Sequence, residues 1–130
     1  MRLIIGGAHQ GKLQALLAQT GWKSEDLLDG ETCSLSEISR AKGINRLHRL
    51  IFRLLREDRD AAAWIEDFLK ENPDAVLICD EIGCGIVPVE PIEREYREAV
   101  GRICCCLAAK ASQVQRVLCG IPTVIKGDRL

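Results

Sequence analysis

Apolar residues recur along this chain with two distinct periods. Leu3-Ile4-Ile5 is a short apolar run that predicts a buried strand over Arg2–Ile5. A helix is predicted over Lys12–Gln19, where Leu13, Leu16 and Leu17 share one face and Gly21 ends the element. From Trp22 to Gly43 the periodicity is poor. Asp26-Leu27-Leu28-Asp29-Gly30 reads as a short strand entering a turn. Ser34–Ile38 reads as the opening of a short helix, because Ser34 and Glu37 have the spacing of a capping box. Over Ile44–Glu57, Leu47, Leu50, Ile51, Leu54 and Leu55 mark an amphipathic helix, with Arg46, Arg49, Arg53 and Arg56 on its other side. Asp60–Glu71 predicts a second helix carrying Trp64, Ile65, Phe68 and Leu69, stopped by Asn72-Pro73. Ala75-Val76-Leu77-Ile78-Cys79 is apolar on both faces, as a central parallel strand should be. Gly83–Pro91 is a loop punctuated by Gly and Pro, and Glu93–Ala111 is a long helix. Val114–Cys119 is the last predicted strand, after which Gly120-Ile121-Pro122 turns the chain toward Lys126.

Strands alternating with helices imply an α/β fold, a mostly parallel central sheet covered on both faces. The expectation is a single three-layer domain over residues 1–130. Apolar content of 47% supplies a core, and only 4% aromatics makes that core aliphatic. A net charge of −1 argues against nucleic acid or an acidic membrane surface as a partner. No window approaches the roughly 18 apolar residues of a membrane span. The apolar start breaks quickly into glycines, unlike a secretory signal. Seven cysteines without regular spacing are then expected to be reduced thiols in a cytoplasm.

The chemistry begins where the first strand ends. Gly6-Gly7-Ala8-His9-Gln10-Gly11-Lys12 is G-x-x-x-x-G-K, a phosphate-binding loop pattern without its final Ser or Thr, here Leu13. Glycines let the backbone curl so that successive N–H groups point at one anion, and the lysine adds a mobile positive charge. The following helix offers its N-terminus to the same anion. The missing hydroxyl normally ligates Mg²⁺, so Leu13 counts against Mg²⁺ more than against phosphate. The loop and Asp80-Glu81 both fall at the carboxyl edge of the predicted sheet, where ligands of such folds sit.

Other candidates carry a plainer reading beside the functional one. Asp80 and Glu81 can hold Mg²⁺ or polarise an attacking hydroxyl, or simply cap a strand end. The arginine stripe meets an anion or is a solvated helix face, the latter favoured by Glu57 and Asp58 nearby. His48 is a base or nucleophile, or a structural histidine beside an apolar stripe. His9 touches a phosphate or is exposed loop. Cys104-Cys105-Cys106 is expected to be small buried apolar residues, since consecutive helical residues splay about 100° apart and cannot converge on one ion. Cys79, Cys84 and Cys119 lie near the ligand edge without zinc-site spacing.

The second half carries a longer signal. Glu81-Ile82-Gly83-Cys84-Gly85-Ile86-Val87-Pro88 is followed by Arg94-Glu95-Tyr96-Arg97-Glu98, Gly101, Ala108, and Gly120-Ile121-Pro122 with Lys126. In order and spacing this resembles the adenosylcobinamide kinase/adenosylcobinamide-phosphate guanylyltransferase family of cobalamin biosynthesis. That family reads roughly N-E-V-G-x-G-I-V-P, R-x-F-R-D, G-x-x-N-Q and G-L-P-x-x-L-K, and opens with G-G-A-R-S-G-K-S. The agreement covers about half of the chain, at both ends. The resemblance implies a P-loop NTPase-like fold, often assembled as a homotrimer, with ATP or GTP at the loop and a corrinoid substrate. It implies phosphorylation of the aminopropanol hydroxyl of adenosylcobinamide, then GMP transfer through a guanylylated histidine. Carried over by position, Gly6, Gly7, Ala8, His9, Gln10, Gly11 and Lys12 would hold the triphosphate, and Arg94 and Arg97 match the family's two arginines. Lys12, Glu81 and Asp80 are then the expected catalytic groups, with Asp29 and Asp80 on the metal side.

The chain departs from that pattern at Leu13, and at Cys104 and Cys105, which replace Asn-Gln. It is also shorter through the middle. There the family carries its guanylylated histidine in R-I-x-x-H-R-x-x-R, and after it a strand ending in D-C-L-T. Arg46-Leu47-His48-Arg49 and Leu28-Asp29-Gly30-Glu31-Thr32 faintly match these two in reversed order. Preferring the Asp29 match makes His48 an ordinary helix residue and removes the guanylyl acceptor, so kinase chemistry is favoured over guanylyl transfer. The alternative is a relative that binds nucleotide or corrinoid without turnover.

Overall fold

The computed structural model describes residues 1–82 and 90–128. The predicted Gly83–Pro91 loop therefore lies almost wholly outside the described residues, together with Cys84 and the Ile86-Val87-Pro88 part of the family motif.

Six strands form one sheet in the order β2-β3-β4-β1-β5-β6. These are β1 (Arg2–Gly6), β2 (Leu27–Asp29), β3 (Gly43–Asn45), β4 (Val76–Asp80), β5 (Gln113–Leu118) and β6 (Ile121–Lys126). The first five run parallel, and β6 returns antiparallel to β5 at the edge. Side chains alternate across the two faces. Ile4, Val76, Ile78 and Val117 pack with Leu16 of α1 (Lys12–Thr20). Leu3, Ile44, Leu77, Cys79 and Val114 pack on the other face, against α2 (Leu47–Arg56), α3 (Ala61–Glu71) and α4 (Pro91–Lys110). The result is the expected three-layer α/β fold with a mostly parallel sheet, but its larger core is not purely aliphatic, since Trp64, Phe68 and Tyr96 are buried in it with Phe52 packed alongside.

Local chemistry starts and stops the helices. Asp60 caps α3, its side chain accepting the Ala63 N–H at 3.1 Å. Pro91 opens α4, where a missing N–H costs nothing. Lys126 closes α4 by donating to the carbonyls of Ala108 and Ala109, both at 2.8 Å.

Three expectations change. The predicted helix over Ile44–Glu57 is a strand followed by a helix. Ile44 belongs to β3, and Arg46, in the left-handed region at φ 56°, breaks the chain between the two elements. The predicted helix at Ser34–Ile38 is irregular chain, because carbonyls in this segment and on either side of it are held by side chains of α2, α3 and their neighbours. Arg53 donates to the Gly30 and Cys33 carbonyls at 2.8 and 2.7 Å. Arg59 and the Trp64 indole both donate to Leu35, each at 3.0 Å. Asn72 donates to Ser39 and accepts from Ala41, each at 3.0 Å. Finally, the chain after Cys119 is not a simple exit but the sixth strand. Cys119 and Gly120, at φ 52° and 76°, form a two-residue hairpin turn.

The arginine stripe is correspondingly not a bare solvated face. Arg46 forks onto both carboxylate oxygens of Asp29, Arg49 reaches Glu31 at 2.7 Å, and Arg49 and Arg56 lie over the Phe52 ring.

Candidate functional site at the carboxyl edge of the sheet

The loop between β1 and α1 emerges beside the ends of β4 and β5, because β1 lies between those two strands. Gly6 must be glycine for room: a Cβ there would stand 2.5 Å from the Val117 carbonyl oxygen. Gly11 begins α1 in the left-handed region at φ 83°, with no side-chain cap on the helix N-terminus. His9 also has positive φ, at 60°, and is exposed. Gln10 ties the loop to the hairpin: its Oε1 accepts the Cys119 N–H at 2.7 Å and its carbonyl accepts the Gly120 N–H at 2.8 Å.

Lys12 folds back into the loop. Its Nζ donates to the Gly7 carbonyl at 2.6 Å and pairs with Asp80 Oδ1 at 2.7 Å, and the residue is only 7% exposed. The other carboxylate oxygen, Oδ2, lies 3.3 Å from His48 Nε2. His48 Nδ1 accepts the Asp80 backbone N–H at 3.2 Å. Burial holds the imidazole below its ordinary value, against the pull of the Asp80 charge and with help from the nearby Lys12, Arg49 and Arg46. His48 is thus neither an ordinary helix residue nor a free nucleophile: it is 7% exposed and faces Asp80.

The remaining candidates are distributed around this centre. Glu81 extends the ladder, its N–H donating to Gly6 at 2.8 Å, while its carboxylate is gripped by Arg116 at 3.0 and 3.1 Å. Asp29 ends β2, two strands away from β4, and both of its oxygens are taken by Arg46. That guanidinium holds the Asp29 carboxyl below its usual range. Arg94 is exposed on the first turn of α4 and Arg97 is half-buried on the second. The structure therefore joins Lys12 to Asp80 and leaves Asp29 apart from them.

Among the described residues no group of three or more His, Cys, Asp or Glu side chains is arranged to hold a metal. Leu13 offers no side-chain oxygen, Asp29 is committed to Arg46, and Asp80 alone is a single carboxylate. They form no all-protein Mg²⁺ cage, and Asp80 would hold the ion only together with phosphate oxygens and water. The cysteine triplet is likewise no metal box. The expectation that it is buried holds only in part, since Cys105 and Cys106 are exposed and Cys104 alone turns inward, its Sγ 3.6 Å from Cys79 Sγ.

Sequence-based reading weighed His48 but set it aside as an ordinary helix residue, and it missed Arg116 and the Gln10 brace. A recognised β3 would have found the first, since His48 then stands in the opening turn of a helix just after a strand end. The other two had no local signal.

A mostly parallel sheet between two helical layers, with a glycine-rich strand-to-helix loop whose lysine meets an acidic residue from the adjacent strand, defines a P-loop NTPase-like α/β protein. More narrowly, the chain belongs to the cobinamide kinase / cobinamide phosphate guanyltransferase family, whose family model matches residues 8–125. Two curated relatives are each called bifunctional adenosylcobalamin biosynthesis protein CobU. They come from Escherichia coli (strain K12) and Salmonella typhimurium (strain LT2), and each is 43% identical over 51 residues. That stretch is 39% of this chain and only 28% of either relative. Among the described residues no helix is long and apolar enough to cross a membrane.

Proposed function

We propose that this chain binds the phosphates of ATP or GTP at Gly6–Lys12 and acts in cobalamin biosynthesis as a kinase on the hydroxyl of a cobinamide. The observation that supports this most is the pairing of Lys12 Nζ with Asp80 Oδ1 at 2.7 Å, which gathers a mobile cation and a carboxylate at the mouth of the loop. Family membership supplies the substrate class.

In this reading the backbone N–H groups of the loop and the N-terminus of α1 bind the phosphates. Lys12 leaves Asp80 for the β/γ-phosphate oxygens and neutralises them. Asp80 then faces the acceptor hydroxyl and takes its proton as the hydroxyl oxygen bonds to the γ-phosphorus. The bond from that phosphorus to the β–γ bridging oxygen breaks, and its electron pair leaves with the nucleoside diphosphate. Glu81, held by Arg116, keeps the loop edge in place rather than touching the phosphate. Arg94 and Arg97 are proposed to meet the acceptor. No step is routed through Mg²⁺. Guanylyl transfer is not proposed, because His48 is committed to Asp80.

The test is calorimetric titration with ATP and GTP, with and without Mg²⁺, on the native protein and Lys12→Ala, followed by a cobinamide phosphorylation assay. Binding that weakens by about 100-fold or more in Lys12→Ala, an ionic contact of ~3 kcal/mol, is the expected result. No binding of either nucleotide would overturn the proposal. Binding without transfer would leave a nucleotide-binding relative without turnover.

A further inference from the structure

We propose that Cys79 and Cys104 form an oxidation site, which closes into an intramolecular disulfide when the protein meets a peroxide. The pair joins two layers of the fold. Cys79 lies on the central strand β4, in register with Ile5 of β1, and is fully buried. Cys104 lies on α4 and is partly exposed. Both are free thiols, and their Sγ atoms are 3.6 Å apart. The Cys104 S–H donates to Cys79, and the Cys79 S–H donates to the Asp80 carbonyl at 3.4 Å.

The other described thiols are placed differently. Cys105 and Cys106 follow Cys104 at steps of about 100° around the helix and are exposed. Cys119 is exposed on the hairpin turn, and Cys33 lies 3.9 Å from Arg53.

The two thiols differ in access and in charge. Cys104 reaches solvent, and its contact with Cys79 favours the thiolate against the effect of burial. The thiolate is the form that attacks a peroxide. Cys79 is sealed in the core, where the Cys104 contact and burial push its thiol up. Cys104 is therefore the sulfur oxidised first, and Cys79 is the sulfur that resolves it.

In the first step the Cys104 thiolate bonds to one oxygen of hydrogen peroxide. The O–O bond breaks, and the departing hydroxide takes up a proton to become water, leaving Cys104 as the sulfenic acid. In the second step Cys79 loses its proton and its sulfur bonds to the Cys104 sulfur. The S–O bond breaks, and that hydroxide leaves with the proton as a second water. Two thiols are oxidised by two electrons, and one peroxide is reduced. A dithiol reverses the change by thiol–disulfide exchange.

An S–S bond is about 2 Å long, so the two sulfurs must approach. Cys79 is fixed by its ladder to β1, so the movement falls on α4 and on the Cys104 side chain. The bond ties α4, which carries Arg94 and Arg97, to the strand that ends in Asp80. None of this requires nucleotide or phosphoryl transfer.

The test treats reduced full-length protein with a few equivalents of hydrogen peroxide at neutral pH, blocks the remaining thiols with N-ethylmaleimide, and maps non-reduced peptides by mass spectrometry. The expected product is a peptide pair joined through Cys79 and Cys104. It should form about tenfold or more faster than Cys105 or Cys106 is oxidised and disappear with dithiothreitol. The double variant Cys105→Ser/Cys106→Ser, altered only at exposed positions, should form the same bridge at an unchanged rate. In Cys79→Ser, with its fold checked by circular dichroism, Cys104 should instead accumulate as a sulfenic acid trapped by dimedone. Oxidation confined to Cys105, Cys106 or Cys119 in the native protein overturns the proposal. So does oxidation of Cys104 to the sulfinic acid with Cys79 left as a thiol, or loss of the bridge in the double variant.

Discussion

Gln10 and Cys119 stand 109 residues apart in the chain and are joined at 2.7 Å, the side-chain carbonyl of one accepting the backbone N–H of the other. Together with the Gly120 N–H on the Gln10 carbonyl, this clips the Gly6–Lys12 loop onto the hairpin between β5 and β6. The hairpin after β5 thus supports the loop after β1.

Gln10→Ala should remove the side-chain half of that clip. The expected cost is about 1 kcal/mol, a fall in Tm of about 4 °C for a chain of this size. Amide exchange in the loop and at Cys119 should quicken while that of β4 stays unchanged. Hydrogen-exchange mass spectrometry checks this, and equal acceleration everywhere would contradict it.

Gly6 and Gly7 are adjacent but should differ sharply in tolerance. A Cβ on Gly6 meets the Val117 carbonyl oxygen at 2.5 Å, whereas on Gly7 the nearest atom is a Gln10 side-chain carbon at 3.6 Å. Gly6→Ala is expected to destabilise by about 1–3 kcal/mol through forced backbone movement, and Gly7→Ala by well under that. Urea unfolding of the two variants measures the difference.

Stability should fall on acidification in two separate stages. His48 is held below its ordinary value of 6.5, facing Asp80 on β4, Lys12 on α1, and Arg46 and Arg49 at its own helix. Below about pH 6.5 the unfolded chain takes up this proton before the folded one, so stability drops as pH falls toward the folded value. Asp29 is held below its ordinary 3.8 by Arg46, so its contribution is present above that value and is lost as pH falls through the folded one. Being largely solvent-exposed, the Asp29 pair contributes below about 1 kcal/mol. His48→Gln should flatten the upper stage and Asp29→Asn the lower, as read from urea midpoints between pH 3 and 8 (roughly the titration ranges of these groups).

Cys104 is the thiol of α4 whose reactivity should depend on Cys79, 3.6 Å away. Its contact with Cys79 favours the thiolate at Cys104, while hydrogen bonding and burial push the Cys79 thiol up. Cys79→Ala removes that support and should slow alkylation of Cys104 by iodoacetamide about threefold or more, leaving the exposed Cys105 and Cys106 unchanged. Peptide mass spectrometry over a time course resolves the three sites, and an unchanged Cys104 rate would refute the pairing.

The sequence by itself determined the fold class, the loop and the principal strands around it. Leu3-Ile4-Ile5 and Val76-Leu77-Ile78 are runs apolar on both faces, and only burial between two helical layers satisfies such runs. Glycines at 6, 7 and 11 followed by Lys12 mark a backbone turn in any context, so the loop was legible locally. β3 was not, because Gly43–Asn45 is three residues long and Ile44 falls in phase with the apolar stripe of α2. β6 was not, because Pro122 argues against a strand except at an edge, and Cys119-Gly120 lacks the Asn-Gly signature of a tight hairpin.

The tertiary structure alone decided which groups meet. Asp29 and Asp80 look alike as acidic strand ends, yet the strand order puts β1 against β4 and leaves β2 two strands away from β4, so Asp80 meets Lys12 and Asp29 meets Arg46. His48 reaches Asp80 only because a left-handed residue at position 46 redirects the chain from β3 into α2. Periodicity encodes how each segment buries its own face, but the partner of a side chain at a sheet edge is set by strand order and by the packing of all layers together.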